Sequence, residues 1–175
     1  VVLSGRLSLT SHRWLADHAV AGTVLLPGTA FVEMALRAGD EAGCDVLDEL
    51  TLQAPLPLHA AHGVLLQVVL QEPDATGRRA VAVYSRPEEG APDDDAAWTC
   101  HATGALRAEA APSAPAGELG VWPPAGARAV DVGGLYGALA AAGYEYGPVF
   151  QGVGAVWRRG EEVFAEVALG EGERE

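Results

Sequence analysis

The sequence predicts an α+β fold made of two units, each containing a helix and strands. Three observations indicate this: an apolar segment with helical spacing, several segments of β-branched or alternating residues, and a return of that order after a stretch rich in proline, alanine and glycine. With 175 residues, the chain is long enough for one domain with a substantial core, or for a small domain and part of a second.

The first unit opens with a weakly alternating segment, Gly5 to Leu9, which we predict to be a strand. A helix is predicted from Pro27, because proline is favoured at a first helical position and apolar residues then recur at helical spacing. These residues are Ala30, Phe31, Met34, Ala35 and Ala38, with Val32 and Leu36 widening the apolar face and Gly39 as the expected end. A helix that is apolar around most of its circumference is expected to be buried.

Four strand-like segments follow the helix. Leu50 to Leu58 is predicted to be an edge strand, because Pro55 and Pro57 lack the N–H that a central strand uses. The other predicted strands are Val64 to Gln71, Arg79 to Ser85 and Trp98 to Arg107. The acidic stretch PEEGAPDDD, residues 87–95, is expected to be a solvated connection between the last two.

The second unit follows residues 108–127, which are rich in proline, alanine and glycine and are predicted to be a linker. A helix is predicted at Val130 to Ala142, with Gly143 as its end. After the segment GYEYGPVFQG we expect a hairpin with strands Val153 to Trp157 and Val163 to Leu169 and a turn at Arg158 to Glu161. The predicted division is a first unit at residues 1–109, a linker at 110–128 and the start of a second unit at 129–175.

Composition excludes several classes of function. The formal net charge is −13, so the surface repels phosphate backbones and nucleic-acid binding is not expected. No apolar run approaches the roughly 18 residues that span a bilayer, and the N-terminus lacks the features of a signal peptide. Cys44 and Cys100 have no CxxC spacing, so neither a disulfide framework nor a zinc knuckle is indicated. We therefore expect a cytoplasmic protein that does not bind a membrane.

Common catalytic signatures are missing from the printed sequence, which has no GxSxG, Walker or HExxH motif. His59 and His62 form an HxxH in a proline-rich loop without a third ligand nearby, and we expect them to be exposed polar residues. His101 follows Cys100 on a predicted strand, so the two side chains are expected on opposite faces. We therefore predict neither a metal site nor an intrinsic cofactor.

His18 lies in a different setting, within LADHAVAGTVLLPG, residues 15–28. Its spacing to Gly22 and Pro27 is HxxxGxxxxP, and Gly28 opens the predicted helix. A turn of this kind brings an imidazole near a helix N-terminus, whose free N–H groups bind a carbonyl oxygen. Removal of a proton α to a thioester needs such donors and a base that is neutral near pH 7, as an imidazole with a pKa of about 6.5 is. On the residues alone, a structural role for His18 is an equally good interpretation.

Two motifs give the sequence a resemblance to a known family. HAVAGTVLLPG, residues 18–28, resembles the HxxxGxxxxP motif of the dehydratase domains of modular type I polyketide synthases. GYEYGPVFQG, residues 143–152, resembles the YGPxFQG segment of the same family, and WLADH and LTLQAPLPL also fit. The resemblance runs from about Gly5 to the end and implies a double hotdog fold. In that fold two units, each a long central helix wrapped by an antiparallel sheet, are joined by a linker.

The resemblance implies a reaction as well as a fold. His18 would remove the α-proton of a β-hydroxyacyl thioester, Gly28 would offer its backbone N–H to the thioester carbonyl, and Gly22 and Pro27 would shape the turn. Tyr146 would lie near the catalytic pair, with Gly147 and Pro148 beside it in the substrate site and Gln151 at its mouth or wall. Phe150, from the same motif, is expected either at that mouth or wall or packed in a core, and we favour the core.

The partners implied by the resemblance are an acyl carrier protein, which carries the substrate on its phosphopantetheine arm, the other domains of the same synthase, and a second copy in a homodimer. Arg158 and Arg159, close in sequence to the Tyr146 motif, are candidates for contact with the phosphate of that arm. A solvated hairpin turn is an equally good interpretation of these two arginines.

One feature of the family is missing from this sequence. The acid that protonates the departing hydroxyl belongs to a DxxxQ or DxxxH motif in the family, and no aspartate here has Gln or His four residues later; Asp131 is followed by VGGL. We therefore expect the acid to lie beyond this segment, with the second hotdog incomplete in this chain. Two alternatives remain open: a hotdog double-bond isomerase or thioesterase, and a non-catalytic dehydratase-like domain kept for dimerisation and docking.

Overall fold

A computed structural model describes residues 1–88, 97–108 and 120–169 of the chain. Its two helices are α1 (Gly28–Asp40) and α2 (Leu135–Ala141). Its strands are β1 (Val2–Leu7), β2 (His18–Val20), β3 (Thr23–Val24), β4 (Val46–Leu52), β5 (Val64–Leu70), β6 (Arg79–Pro87), β7 (Thr99–Arg107), β8 (Arg128–Val130), β9 (Tyr144–Tyr146), β10 (Val153–Arg159) and β11 (Glu162–Val167). Neither helix is long and apolar enough to cross a membrane.

The contacts between Cα atoms divide the chain into two units. The first comprises Val1–Leu15 and Thr23–Pro112, and the second comprises Ala16–Gly22 and Ser113–Glu175, in each case as far as the chain is described. The predicted boundaries at residues 109 and 128 stay a prediction. The contact grouping differs from the predicted boundaries in two respects: the seven-residue segment with His18 groups with the second unit, and so do residues 120–128 of the predicted linker.

The first unit is one antiparallel sheet with a helix packed on it. The strand order is β1-β5-β6-β7-β4, and α1 contacts β4, β5, β6 and β7. Phe31, Ala35 and Ala38 of α1 share one buried cluster with Val83 and Leu106 of the sheet. This burial of apolar side chains is the main stabilising contribution to the unit. The opposite face of α1 is exposed in this chain, with Val32 36% exposed, so the predicted burial of the helix holds for one face only.

The strands of the first unit agree with the predictions for β5, β6 and β7, whose bounds differ by at most two residues. The first strand is Val2–Leu7 rather than Gly5 to Leu9. The predicted edge strand is an edge of the sheet, but it ends at Leu52. Pro55 and Pro57 lie in the segment after this strand. There the Leu56 carbonyl accepts a hydrogen bond from the Leu26 N–H, and the Leu58 N–H donates to the Val24 carbonyl, both at 2.9 Å. Of the predicted acidic loop, residues 89–95 lie outside the described part of the chain.

The second unit contains two small sheets and the short helix α2. One sheet has the order β11-β10-β8, and β2 pairs with β9 in an antiparallel ladder. The predicted helix at Val130 to Ala142 is wrong in its first five residues. Val130 ends a strand, Asp131 Oδ1 accepts a hydrogen bond from the Gly133 N–H at 2.9 Å, and helix begins only at Leu135. Two consecutive glycines and a local aspartate turn compete with helical hydrogen bonding, which delays its start.

Of the predicted linker at residues 110–128, the part 110–119 lies outside the described residues. The hairpin of β10 and β11 forms as predicted, but its second strand ends at Val167 rather than at Leu169, and its turn differs. The turn is formed by Gly160, which has a φ of +59°, and Glu161, whereas Arg158 and Arg159 belong to β10 and pair with β11. Only glycine adopts this left-handed conformation without strain, so the turn forms there.

Candidate active site

The site is centred on His18, whose strand β2 lies beside β9. His18 is directly opposite Tyr146 in the antiparallel register, and the two rings are stacked with centroids 5.3 Å apart and planes 24° apart. The Phe150 ring lies against the same imidazole, with centroids 5.0 Å apart and an interplanar angle of 59°. All three side chains are half-buried. The two sequence motifs are therefore in direct contact within the second unit.

Asp17 ties the second motif to the strand of His18. Its backbone carbonyl accepts a hydrogen bond from the Gly147 N–H at 2.8 Å, and its carboxylate Oδ2 accepts one from the Val149 N–H at 3.0 Å. A Cβ atom at Gly147 would lie 2.8 Å from the Asp17 Cβ and closer still to its carboxyl group. Gly147 is needed for this close approach. Sequence reasoning missed Asp17, because its role depends on the pairing of β2 with β9.

The YGPVFQ segment also closes on itself. The Phe150 N–H donates to the Gly147 carbonyl at 3.0 Å, and the Gln151 side-chain Nε2 donates to the Tyr146 carbonyl at 2.6 Å. Pro148 starts the short 3₁₀ helix Pro148–Phe150, where its fixed φ suits a first position. This turn directs Phe150 toward His18. The expectation that Phe150 packs in a core is wrong, because the compact turn leaves the ring half-buried against the imidazole.

The glycine of the HxxxG pattern occupies a backbone position that favours glycine. Gly22 has a φ of +76°, and Ala21 before it has a φ of +49°. The Ala21 N–H donates to the Gly143 carbonyl at 2.7 Å, so the end of β2 is tied to the segment after α2. An L-residue in this conformation brings its Cβ close to the following carbonyl oxygen. Glycine has no Cβ, so Gly22 adopts the conformation without that strain.

Pro27 and Gly28 belong to the first unit, at the start of α1. The helix begins at Gly28, with Pro27 immediately before it rather than at the first helical position, and the Ala30 N–H donates to the Pro27 carbonyl at 3.0 Å. Within the described residues no side chain caps this helix end. The first N–H groups of a helix have no partner within it, so the backbone here offers donors to a negatively charged oxygen.

The remaining histidines have other settings. His101 is buried, with Nδ1 3.1 Å from the Ala54 carbonyl and Nε2 2.7 Å from the Ser85 hydroxyl. Because a carbonyl only accepts, Nδ1 carries a proton, and both ring nitrogens of this buried side chain have a hydrogen-bond partner. His59 and His62 are exposed, as predicted. Across residues 1–88, 97–108 and 120–169, no three His, Cys, Asp or Glu side chains come together as metal ligands.

Arg158 and Arg159 differ in their partners. Arg159 Nε is 2.9 Å from Glu162 Oε2, and its Nη1 donates to the Ala125 carbonyl at 3.2 Å. Arg158 donates from Nε to the Gly160 carbonyl at 2.8 Å, and its Nη2 is 3.9 Å from Glu161. The carboxylate of Glu162 neutralises Arg159, whereas Arg158 has only a long contact to a fully exposed acid.

Comparisons with known proteins agree with both motifs. Residues 1–86 match the family model described as polyketide synthase dehydratase domain, and residues 114–175 match the model described as polyketide synthase dehydratase N-terminal domain. The chain is 58% identical over its whole length to polyketide synthase GfsA of Streptomyces halstedii, and covers 2% of that protein. It is 59% identical over 96% of its length to the pikromycin polyketide synthase component PikAII of Streptomyces venezuelae, and covers 4% of that protein.

A solved structure is similar to the chain as well. The dehydratase domain from the terminal module of the rifamycin polyketide synthase is 50% identical, with a TM-score of 0.89. The match covers 97% of this chain and 62% of that one, so the chain spans less than two thirds of the solved domain. The likeness confirms the predicted α+β, double hotdog class of fold.

Proposed function

Because the chain belongs to the family of polyketide synthase dehydratase domains, we propose that it dehydrates a β-hydroxyacyl thioester to the α,β-unsaturated thioester during polyketide biosynthesis. The substrate is carried on the phosphopantetheine arm of an acyl carrier protein. Two proteins that the chain resembles are named as the pikromycin and rifamycin polyketide synthases, which supports a role in polyketide biosynthesis.

His18 is the base in this proposal. Its imidazole takes the α-proton, the electron pair forms the new double bond, and the C–O bond at the β-carbon breaks. The observation that supports this role best is the contact of the His18 ring with Tyr146 and Phe150, which hold it at 5.3 and 5.0 Å between centroids. Two aromatic neighbours fix the orientation of an imidazole, and a positioned base is more effective than a mobile one.

The negative charge that develops on the thioester oxygen requires fixed donors. We assign this role to the uncapped first turn of α1, with the Gly28 N–H as the donor. Tyr146 contributes a phenol beside the base, and Gly22, Pro27, Gly147 and Pro148 shape the two turns that hold these groups. The departing hydroxyl leaves as water after protonation by an acid. No aspartate of this chain stands four residues before Gln or His, so we assign the role of the acid to none of its residues.

The proposed chemistry only moves protons, so it requires neither a metal nor an intrinsic cofactor. The partners are the carrier protein, the other domains of the synthase and a second copy in a homodimer. With a net charge of −13, the chain repels an acidic carrier. The covalent tether of a multidomain protein then supplies the effective concentration that free association lacks.

The test is direct. The full-length protein is incubated with a short β-hydroxyacyl thioester on its carrier protein, and loss of water is followed by mass spectrometry. Wild type should lose water from the acyl chain, and His18→Ala should not, while variant His59→Ala, which changes an exposed histidine, should behave as wild type. Release of free acid would indicate a thioesterase, and an acyl chain of unchanged mass would contradict dehydration.

A further inference from the structure

Two arginines lie directly opposite each other on neighbouring strands of the second unit. Arg128 of β8 pairs with Arg158 of β10 in the antiparallel register, so both side chains lie on the same face of the sheet. Like charges in directly opposite positions destabilise a sheet. A negatively charged group close to both arginines would therefore stabilise this part of the sheet.

The carboxylates of this unit compensate the pair poorly. Arg158 has Glu161 at 3.9 Å, and the Glu161 side chain is fully exposed. Arg128 has no ion pair with any described residue. The neighbouring Arg159 differs, since Glu162 lies 2.9 Å from its Nε and the guanidinium also lies over the Phe164 ring, 5.3 Å from the ring centroid. Of the three arginines, Arg128 and Arg158 carry charge that the described chain leaves largely unneutralised.

These two arginines also share a cleft. It has a volume of about 510 Å³ and is lined by Gly126, Arg128, Ala129, Val130, Arg158, Arg159 and Gly160. None of the lining residues is acidic, in a chain that carries 24 acidic and 11 basic residues. The cleft is therefore a local cationic site on a strongly anionic protein, and it is open to a ligand of small size.

We propose that Arg128 and Arg158 form a binding site for a phosphate ester, namely the phosphodiester of the carrier protein's pantetheine arm. A guanidinium donates two parallel N–H bonds to an oxyanion. The phosphodiester of the arm has two non-bridging oxygens that share one negative charge, so each oxygen can accept N–H bonds from a different guanidinium. The identity of the phosphate source rests on the proposed function, whereas the phosphate site itself does not.

The first experiment measures binding alone. Phosphopantetheine and pantetheine, which differ only by the phosphate, are titrated into the full-length protein by calorimetry. Phosphopantetheine should bind more tightly, and Arg128→Gln and Arg158→Gln should each weaken its binding by about tenfold, as expected for loss of a charge-assisted pair of hydrogen bonds. Arg37→Gln, which changes an exposed arginine outside the cleft, is the matched control and should leave binding unchanged. Arg159→Gln should have a smaller effect than the other two cleft variants, because Glu162 pairs with Arg159.

Three results would overturn the phosphate site: equal affinity for the two compounds, unchanged binding in both the Arg128 and Arg158 variants, or an effect confined to Arg159→Gln. Arg158→Lys keeps the positive charge but lacks the paired N–H donors of the guanidinium, so it should recover only part of the affinity for phosphopantetheine. This result would separate phosphate recognition from a folding defect. Arg128→Gln and Arg158→Gln should melt at or above the wild-type temperature, because these side chains are exposed and each substitution removes one of two opposed like charges.

A second experiment assigns the source of the phosphate. KM for a carrier-bound substrate should rise about tenfold in Arg128→Gln and Arg158→Gln, while KM for a short thioester without phosphate should not change. An unchanged KM for the carrier-bound substrate would overturn the assignment to the carrier arm. If wild type fails to dehydrate either substrate yet binds phosphopantetheine through these arginines, the proposed function fails and the phosphate site stands.

Discussion

His18 and Tyr146 occupy directly opposed positions of an antiparallel ladder, and their rings stack with centroids 5.3 Å apart. Backbone pairing between two three-residue strands places the two residues directly opposite each other, with both side chains on the same face of the ladder. Asp17, next to His18 in sequence, holds the turn that follows Tyr146 through two further hydrogen bonds. The histidine and its aromatic neighbours thus form one small, jointly held structure.

Replacement of His18 should abolish most activity without unfolding the protein. Removal of a general base typically costs about 10²–10⁴-fold in rate. His18 is half-buried on a short strand, so the His18→Ala variant should fold, and its circular dichroism should match that of wild type. Turnover of a β-hydroxyacyl thioester is measured beside the exposed-histidine variant His59→Ala. Near-native turnover in His18→Ala would end the assignment of the base to this residue.

The Tyr146 phenol and the Tyr146 ring should have separable effects. Tyr146→Phe keeps the stack on His18 and removes one hydroxyl, which should slow turnover by about 2–10-fold, the value of one ordinary hydrogen bond, with little change in Tm. Tyr146→Ala also removes the ring and should slow turnover further. Tyr144→Phe, on the same strand with a side chain that is 44% exposed, is the matched control and should leave the rate unchanged. An unaltered rate in Tyr146→Phe would remove the phenol from the reaction.

Asp17 should act as a positioning residue. Asp17→Ala leaves the Val149 N–H without its acceptor, which should cost about 1–3 kcal/mol of stability and lower kcat more than it raises KM, because the turn beside His18 loosens. Asp17→Asn keeps an oxygen that can accept the hydrogen bond from the Val149 N–H, so stability and kcat should both return to near the wild-type values. Asp131→Ala removes a similar carboxylate-to-backbone bond elsewhere in the unit and serves as control. If the Asp17 and Asp131 alanine variants lost turnover equally, the loss would reflect stability alone.

Metal removal should have no effect. The proposed reaction transfers protons between side chains and substrate, and the described residues contain no cluster of three metal-ligating side chains. Exhaustive dialysis against a chelator should leave turnover at the untreated value. Activity that disappeared on chelation and returned with zinc would contradict the proposed chemistry.

Much of the fold could be predicted because the first unit follows simple periodicities. Alternating β-branched residues mark β5 and β6, and helical spacing from Ala30 to Ala38 marks α1. The second unit could not be predicted as well, because its elements are short and depend on pairing. Three residues such as those of β8 or β9 carry no period, and their strand conformation comes from distant partners.

The candidate site shows the same division. The motifs around His18 and Tyr146 were visible as residue types, but their contact depends on a strand register that no local pattern encodes. Asp17 and the position of the Phe150 ring were missed for that reason, since both depend on how residues 147–150 turn after β9. Arg128 was missed as a partner of Arg158 because it lies 30 residues earlier in the sequence, within the segment predicted as linker.

The pH dependence of stability in the first unit should be set in part by Asp48. Its carboxylate accepts hydrogen bonds from Arg107 Nε at 2.6 Å and from Arg78 Nε at 3.1 Å. The hydrogen bond from Arg107 is the largest effect and holds the Asp48 pKa below its usual value. Desolvation, the next largest, opposes it, and the charges of both arginines and the hydrogen bond from Arg78 lower the pKa further. A partner for each of two guanidinium groups is lost when this carboxyl is protonated.

The sign of the effect follows from proton linkage. Because the pKa of Asp48 is lower in the folded state than in the unfolded state, its stabilising contribution is fully present above the unfolded value of about 3.9, and it is lost as pH falls through the lower folded value. Asp48→Asn should therefore be less stable than wild type at neutral pH, and the difference in unfolding free energy should shrink as pH falls below about 4. Denaturant unfolding over a series of pH values measures this, with Asp45→Asn as control, since Asp45 forms no ion pair with any described residue. A difference between wild type and Asp48→Asn that stayed constant down to acid pH would show that the ion pairs of Asp48 contribute nothing to the pH dependence of stability.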